Sequence, residues 1–183
     1  REGDFFFLPE GDPAAAAATV GDLVTRRLPG TYGLDPAADI QVLTPMYRGD
    51  TGAHALNDLL QNELNPDGDV ITFGERQFRA GDKIIVTRNN YTKNVFNGDI
   101  GRIAAVDIEE GLLRLDMDIA SEGATDVTYE RHELDDLSLA YAISVHRSQG
   151  SEFPAVVLPL TTQHYVMLQR NLLYTGVSRG KQK

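Results

Sequence analysis

Residues His146, Arg147, Ser148, Gln149, Gly150, Ser151 and Glu152 form one polar turn between two apolar runs at 139–145 and 155–160. Seven consecutive residues that can donate or accept hydrogen bonds, one of them a glycine that lets the backbone approach a ligand, suit a binding loop. A turn that hydrogen-bonds only to itself is the plainer reading of the same residues. Three further groups carry possible chemistry. Thr44, Pro45, Tyr47 and Arg48 follow the apolar stretch Ile40–Thr44. Asn90, Tyr91 and Lys93, with Arg88 and Asn89 before them, place an aromatic between cations, the arrangement on which single-stranded nucleic acid stacks; closure of a hairpin explains them equally. Arg179 stands near the end of a helical pattern, where the helix dipole alone favours a cation.

The flanking elements set where these groups can act. The runs at 139–145 and 155–160 are short and rich in β-branched residues, as strands buried on both faces of a parallel sheet are. Ligands bind beyond the carboxyl ends of such strands. Upstream, residues 5–8 (FFFL) read as an edge or lead-in strand. Asp12 and Pro13 read as the start of a helix that Pro29-Gly30 stops. Ile40–Thr44 reads as a strand, and Leu56, Leu59, Leu60 and Leu64 fall on one face of a helix that Asn65-Pro66 ends. From Phe78 the texture changes to short strands near 83–88, 100–108, 112–117 and 126–130, parted by glycine-bearing turns and a polar stretch at 118–125. That pattern predicts a small β-barrel or meander. A helical pattern over 169–176 follows, and the chain reads as a piece of a longer protein. The expected division is an α/β framework over 1–75 and 137–183, with an all-β insertion over 76–136.

Composition narrows the class. The 183 residues carry a net charge of −10, which argues against nonspecific coating of nucleic acid. The balance is uneven: −9 over residues 1–75, −5 over 76–136 and +4 over 137–183, so the basic excess coincides with the polar turn and Arg179. There is no cysteine, and hence neither a disulfide framework nor a thiolate metal site. The four histidines show no metal-ligand spacing, and no serine sits in a GxSxG elbow. No apolar run has the length of a membrane span, so the expected location is the cytoplasm and no membrane partner is expected. GxxxxGK[ST] is absent, which leaves the chain without a phosphate loop of its own.

The residues AISVHRSQGSEFPAVVLPL resemble motif V of RecD-like, superfamily 1 DNA helicases, and RNLLYTGVSRGKQK resembles the motif VI that follows it at a fitting distance. VLTPMYRGDTGAHALNDLLQ resembles motif IV, and FRAGDKIIVTRNNYTKNVFNGDIGRI resembles the SH3-like barrel inserted in the second motor domain. The resemblance implies a RecA-like α/β domain of the P-loop NTPase type that lacks its own P-loop, interrupted by an SH3-like barrel. It implies that Arg179 is an arginine finger. Gln149, Gly150 and Glu152 would close over the nucleotide, with Glu152 accepting from ribose hydroxyls. Arg48 would touch the nucleotide. Thr44, Pro45, Tyr47, Asn90, Tyr91, Lys93, His146, Arg147 and Ser148 would face single-stranded DNA. ATP with Mg²⁺ would be held mainly by a first motor domain of the same parent chain, and the parent would unwind DNA 5′ to 3′ in repair or recombination. A non-enzymatic nucleic-acid or protein-binding module on a degenerate helicase scaffold is the alternative.

Overall fold

The computed structural model describes residues 4–117, 125–161 and 170–183, and divides the chain into two compact units, 1–64 with 141–183, and 65–140.

In the first unit, helix α1 (Pro13–Asp22) begins where the sequence predicts. Asp12 accepts a hydrogen bond from the Ala15 N–H at 2.8 Å, and Pro13 occupies the first turn, where its missing N–H costs nothing. The helix does not stop at Pro29-Gly30. It passes through a π-helical turn (Leu23–Arg27) into α2 (Leu28–Tyr32), and ends at Gly33 in the left-handed conformation. An unbroken α-helix would not accommodate the proline ring, so the widened turn lies just ahead of it. The expected strand at 5–8 is not formed. No strand among the described residues pairs with it, and Phe7 is 79% exposed.

Strands β1 (Ile40–Thr44), β9 (Ala142–Ser144) and β10 (Ala155–Val157) make a parallel sheet in the order β10-β1-β9. All five residues of β1 are buried, as the central strand of a covered parallel sheet must be. Helix α3 (Ala53–Leu64) packs Leu56 and Leu60 inward and lies against both β9 and α1. The approach to α1 is close: a Cβ on Gly21 would meet Leu59 Cδ2 and Glu63 Oε1 at 3.3 Å. Asn57 faces the outer edge of β9. Its Nδ2 donates to the Ala142 carbonyl at 2.8 Å and its Oδ1 accepts from the Ala142 N–H at 2.9 Å, so one side chain supplies the rung a further strand would have made.

The second unit contains the hairpin β2 (Val70–Phe73) with β3 (Arg76–Arg79) and a five-stranded antiparallel sheet. Its strands are β4 (Lys83–Val86), β5 (Ile100–Asp107), β6 (Leu112–Met117), β7 (Thr125–Glu130) and β8 (Leu137–Leu139), in the order β7-β6-β5-β4-β8. A 3₁₀ helix (Arg131–Asp136) joins β7 to β8. Alternation drives the sheet: in β6, Leu113, Leu115 and Met117 point into the core while Arg114 and Asp116 face outward. Phe78, Ile84, Val86, Ile103, Tyr129 and Leu134 complete that core. Among the described residues the sheet is open, with β7 and β8 as its edges, and not a closed barrel. The unit begins at Asn65, ahead of the expected insertion point at 76, because Ile71 on the hairpin buries into the same core as Phe78. The apolar run at 139–145 is two strands: β8 ends at Leu139 in one sheet, and β9 starts at Ala142 in the other. The separator at 118–124 and the first residue of the expected 169–176 helix lie outside the described residues; α4 runs Arg170–Val177.

Candidate functional site

Thr44 and Ser144 stand opposite each other at the carboxyl ends of β1 and β9, so the loops at 45–52 and 145–152 leave the sheet side by side. This is the position at which open parallel sheets bind ligands. The first loop folds tightly onto the start of α3. Thr44 Oγ1 donates to the Thr51 carbonyl at 2.7 Å, the Ala53 N–H reaches the Met46 carbonyl at 2.9 Å, and the His54 N–H reaches that of Tyr47 at 3.1 Å. Gly52 is essential to this turn: a Cβ there would lie 2.4 Å from the Arg48 carbonyl oxygen. Thr44 and Pro45 are buried, whereas Tyr47 and Arg48 are exposed.

Tyr47 connects the two loops. Its hydroxyl is 3.2 Å from Ser144 Oγ, the Arg147 guanidinium lies 5.7 Å from its ring centre, and the His54 ring lies 6.0 Å away. Residues nominated separately from motifs IV and V therefore form one polar, aromatic and cationic surface. In the second loop Ser148 is fully buried. Its Oγ donates to the Val145 carbonyl at 2.7 Å and its N–H to that of Ser144 at 3.3 Å, so it shapes the turn. His146, Gln149 and Gly150 are exposed, and Gly150 takes a φ of 88° that favours glycine.

Arg179 lies just past α4 and is tied to this second loop. Its Nη1 donates to the Ser151 carbonyl at 3.3 Å and its Nη2 to Ser178 Oγ at 3.1 Å, while its Nε is buried with no hydrogen-bond partner among the described residues. The main chain binds the two segments more firmly. Phe153 N–H donates to the Arg179 carbonyl at 2.8 Å, Lys181 N–H to that of Phe153 at 2.8 Å, Gln182 N–H to that of Pro154 at 3.0 Å, and Val156 N–H to that of Lys183 at 2.9 Å. Lys181 Nζ pairs with Glu152 Oε2 at 2.8 Å. The hydrogen bond and charge of Lys181, and then the charge of Arg179, hold the Glu152 carboxyl below the usual glutamate range.

The third group lies in the second unit and divides by exposure. Asn90 closes a short loop: its backbone exchanges hydrogen bonds with Val95, and its Oδ1 accepts from the Lys93 N–H at 3.0 Å. Lys93 Nζ is enclosed, paired with Glu133, donating to the Thr128 carbonyl at 2.6 Å and lying 4.4 Å from the Tyr129 ring centre. Tyr91 is 78% exposed and packs edge-on against Phe96 at 5.9 Å. Burial, with the charges of Asp136, Glu133 and Asp99, pushes the Tyr129 hydroxyl up to about 12.

Sequence reasoning missed Asn57, Ser178 and Lys181 as parts of this architecture. Asn57 carries no local signal, since a polar residue on a helix reads as solvent-facing. Glu152 and Lys181 are 29 positions apart, a separation only the fold closes. Among the described residues no group of three His, Asp or Glu side chains is placed to hold a metal ion, and no helix is long and apolar enough to cross a membrane.

Comparison with known proteins follows the same division. Residues 56–117 match the model of the ATP-dependent RecD-like DNA helicase SH3 domain, and residues 139–183 match that of the UvrD-like helicase C-terminal domain. The ATP-dependent RecD2 DNA helicase of Deinococcus radiodurans is 37% identical over 176 residues, covering 96% of this chain and 23% of that protein. The RecBCD enzyme subunit RecD of Mycobacterium tuberculosis is 38% identical over 104 residues, covering 57% of this chain and 17% of the subunit. The chain thus spans less than a quarter of the length of these relatives. Among solved structures, the Pif1 helicase of Candida albicans aligns with a TM-score of 0.55 at 16% identity, over 89% of this chain and 47% of that one. Bacteroides Pif1 bound to ssDNA aligns at 0.53, also at 16% identity, over 89% and 43%. These two share the fold: a helicase-type, RecA-like parallel sheet. With both helicase family models matched and the RecD2 helicase as a relative along 96% of its length, the chain belongs to the RecD-like superfamily 1 helicases, as a segment that matches their SH3 domain and a helicase C-terminal domain.

Proposed function

We propose that this chain supplies the second motor domain of an ATP-dependent DNA helicase that tracks single-stranded DNA 5′ to 3′, with Arg179 as its arginine finger. The observation that carries the reading is the attachment of the Arg179 guanidinium to the Ser151 carbonyl of the motif V turn, with one buried donor, Nε, left over. A cation held there adds to the charge complementarity of a phosphoryl group in transfer, and such fingers contribute about 10³ to 10⁵ in rate.

The residues present fit one side of a nucleotide and do not fit its metal. Glu152 is the sole carboxylate in residues 137–183, and it faces Lys181. ATP hydrolysis supplies the free energy for movement, and Mg²⁺ belongs to a first motor domain of the same parent chain. Gln149, the Gly150 backbone, Glu152 and Arg48 take the nucleotide. Tyr47, His146 and Arg147 face the single strand, with Thr44, Pro45 and Ser148 holding the two loops in shape from within. In the inserted part, Tyr91 is the stacking platform, Asn90 closes the loop beneath it, and Lys93 braces that loop through Glu133. The motor part corresponds to residues 1–64 with 141–183 and the insertion to 65–140.

The test is single-strand-stimulated ATP hydrolysis by the full-length parent, comparing wild type with Arg179→Ala at matched thermal stability. A fall of about 10³-fold in turnover with DNA affinity retained is expected. Unchanged turnover would remove the finger.

A further inference from the structure

The geometry points to Lys181 as a positioning residue: its ion pair with Glu152 is a latch that fixes the Arg179 loop against the motif V turn. The inference deepens the reading of Arg179 as the finger and rests on it.

Three observations converge on the latch. First, the segments it joins are already parallel neighbours in the main chain, with Phe153 bridging to Gly180 and hydrogen bonds running from Phe153 to Arg179 and from Lys181 back to Phe153. The carbonyl of Arg179 and the N–H of Lys181 therefore both bond to Phe153, which leaves the guanidinium of Arg179 as the freer part of this junction. Second, that guanidinium has modest anchors, at 3.3 Å to Ser151 O and 3.1 Å to Ser178 Oγ. Small rotations of the loop about the Phe153 anchor would carry it far. Third, Lys181 and Glu152 sit one residue to either side of that anchor, on the Arg179 strand and on the motif V turn, and their 2.8 Å contact opposes such rotation. The depressed Glu152 carboxyl agrees with a charge that sees Lys181 first and Arg179 second.

The pair is solvent-facing, with both side chains more than half exposed. Exposed ion pairs are weak and exchange readily. The latch therefore sets an orientation and does not hold the fold. Lys181 pairs with Glu152 Oε2, which leaves Oε1 to accept from a ligand hydroxyl with the pair intact. Turnover then depends on opposite charges at 152 and 181, which main-chain anchoring alone would not require.

The experiment uses the full-length parent and five proteins besides wild type: Lys181→Glu, Lys181→Gln, Glu152→Lys, the double exchange of Lys181 and Glu152, and Arg179→Ala. Each is measured for kcat and KM in single-strand-stimulated ATP hydrolysis, with thermal melting as a folding control. Each single reversal is expected to lower kcat about tenfold, and the double exchange to restore kcat to within about threefold of wild type; KM stays near wild type in Lys181→Glu and rises in both proteins that carry Glu152→Lys, through the lost nucleotide contact. Lys181→Gln, which keeps a donor but loses the charge, should lower kcat by less than about tenfold, and it carries the test if a reversal fails to fold; unchanged kcat in a folded Lys181→Gln overturns the latch. A double exchange whose kcat is as low as that of the single reversals, or a Lys181→Glu loss confined to KM, overturns the latch while leaving the finger intact. Retained turnover in Arg179→Ala overturns the finger, and the latch with it.

Discussion

Replacing Asn57 by alanine removes both hydrogen bonds that complete the outer edge of β9, at a site where Asn57 is 5% and Ala142 1% exposed. The Ala142 N–H and carbonyl would each be left buried without that partner. An unsatisfied buried polar group costs about 1–3 kcal/mol, and the two together give about 4 kcal/mol. That is a large share of the stability of an ordinary domain. The assay is native-state hydrogen exchange at the Ala142 amide, combined with urea denaturation. Exchange there should accelerate by about two to three orders of magnitude, since each 1.4 kcal/mol is about tenfold. Asn57→Asp separates the two bonds. A carboxylate can still accept from the Ala142 N–H but turns an oxygen toward the Ala142 carbonyl, so this variant should be the worse at neutral pH and recover as it is acidified. A loss below about 1 kcal/mol with unchanged Ala142 exchange would refute the rung.

Gly52→Ala should disrupt the turn that presents Tyr47 and Arg48, since its Cβ would lie 2.4 Å from the Arg48 carbonyl oxygen; a loss of about 1–3 kcal/mol in thermal unfolding checks it. Tyr129→Phe removes a buried hydroxyl without a hydrogen-bond partner among the described residues and should be neutral or stabilising by up to about 1 kcal/mol in the same assay. Glu133 is held below the usual glutamate range: burial opposes its charge, but the Glu130 N–H and then Lys93 outweigh it. Its contribution is thus complete above the unfolded-state value and is lost as the pH falls through the folded-state value, so acid-unfolding curves of wild type and Glu133→Gln should converge at low pH.

Where the fold is set by local periodicity, the sequence is transparent. Ile40–Thr44 is a strand to the residue, and β5, β6 and β7 follow from alternating side chains and glycine turns. The errors lie where long-range pairing decides. FFFL has the composition of a strand but no partner among the described residues, and 139–145 is apolar throughout, so nothing in it marks the switch between sheets at Ala140 and Tyr141. Helix α1 runs on past the expected stop because a π-helical turn absorbs Pro29, an adjustment composition does not encode. For the site, Tyr47, Arg147, Gln149 and Arg179 are nominated by the resemblance of the motifs that hold them; residue type and position alone make Arg179 a cation near a helix end. The nearness of motifs IV and V follows only from the parallel register of β1 and β9. Lys93 looks like a free cation in sequence because Glu133, which encloses it, is 40 positions away.

The main-chain junction between 153–156 and 179–183 also sets how little freedom the chain has around Arg179. Hydrogen bonds from Phe153, Val156, Lys181 and Gln182 fix the register of the two segments against each other. A one-residue insertion or deletion within 179–183 would therefore shift Arg179 relative to Ser151 by a whole residue at once, about 3.3 Å along an extended chain, whatever side chains were kept.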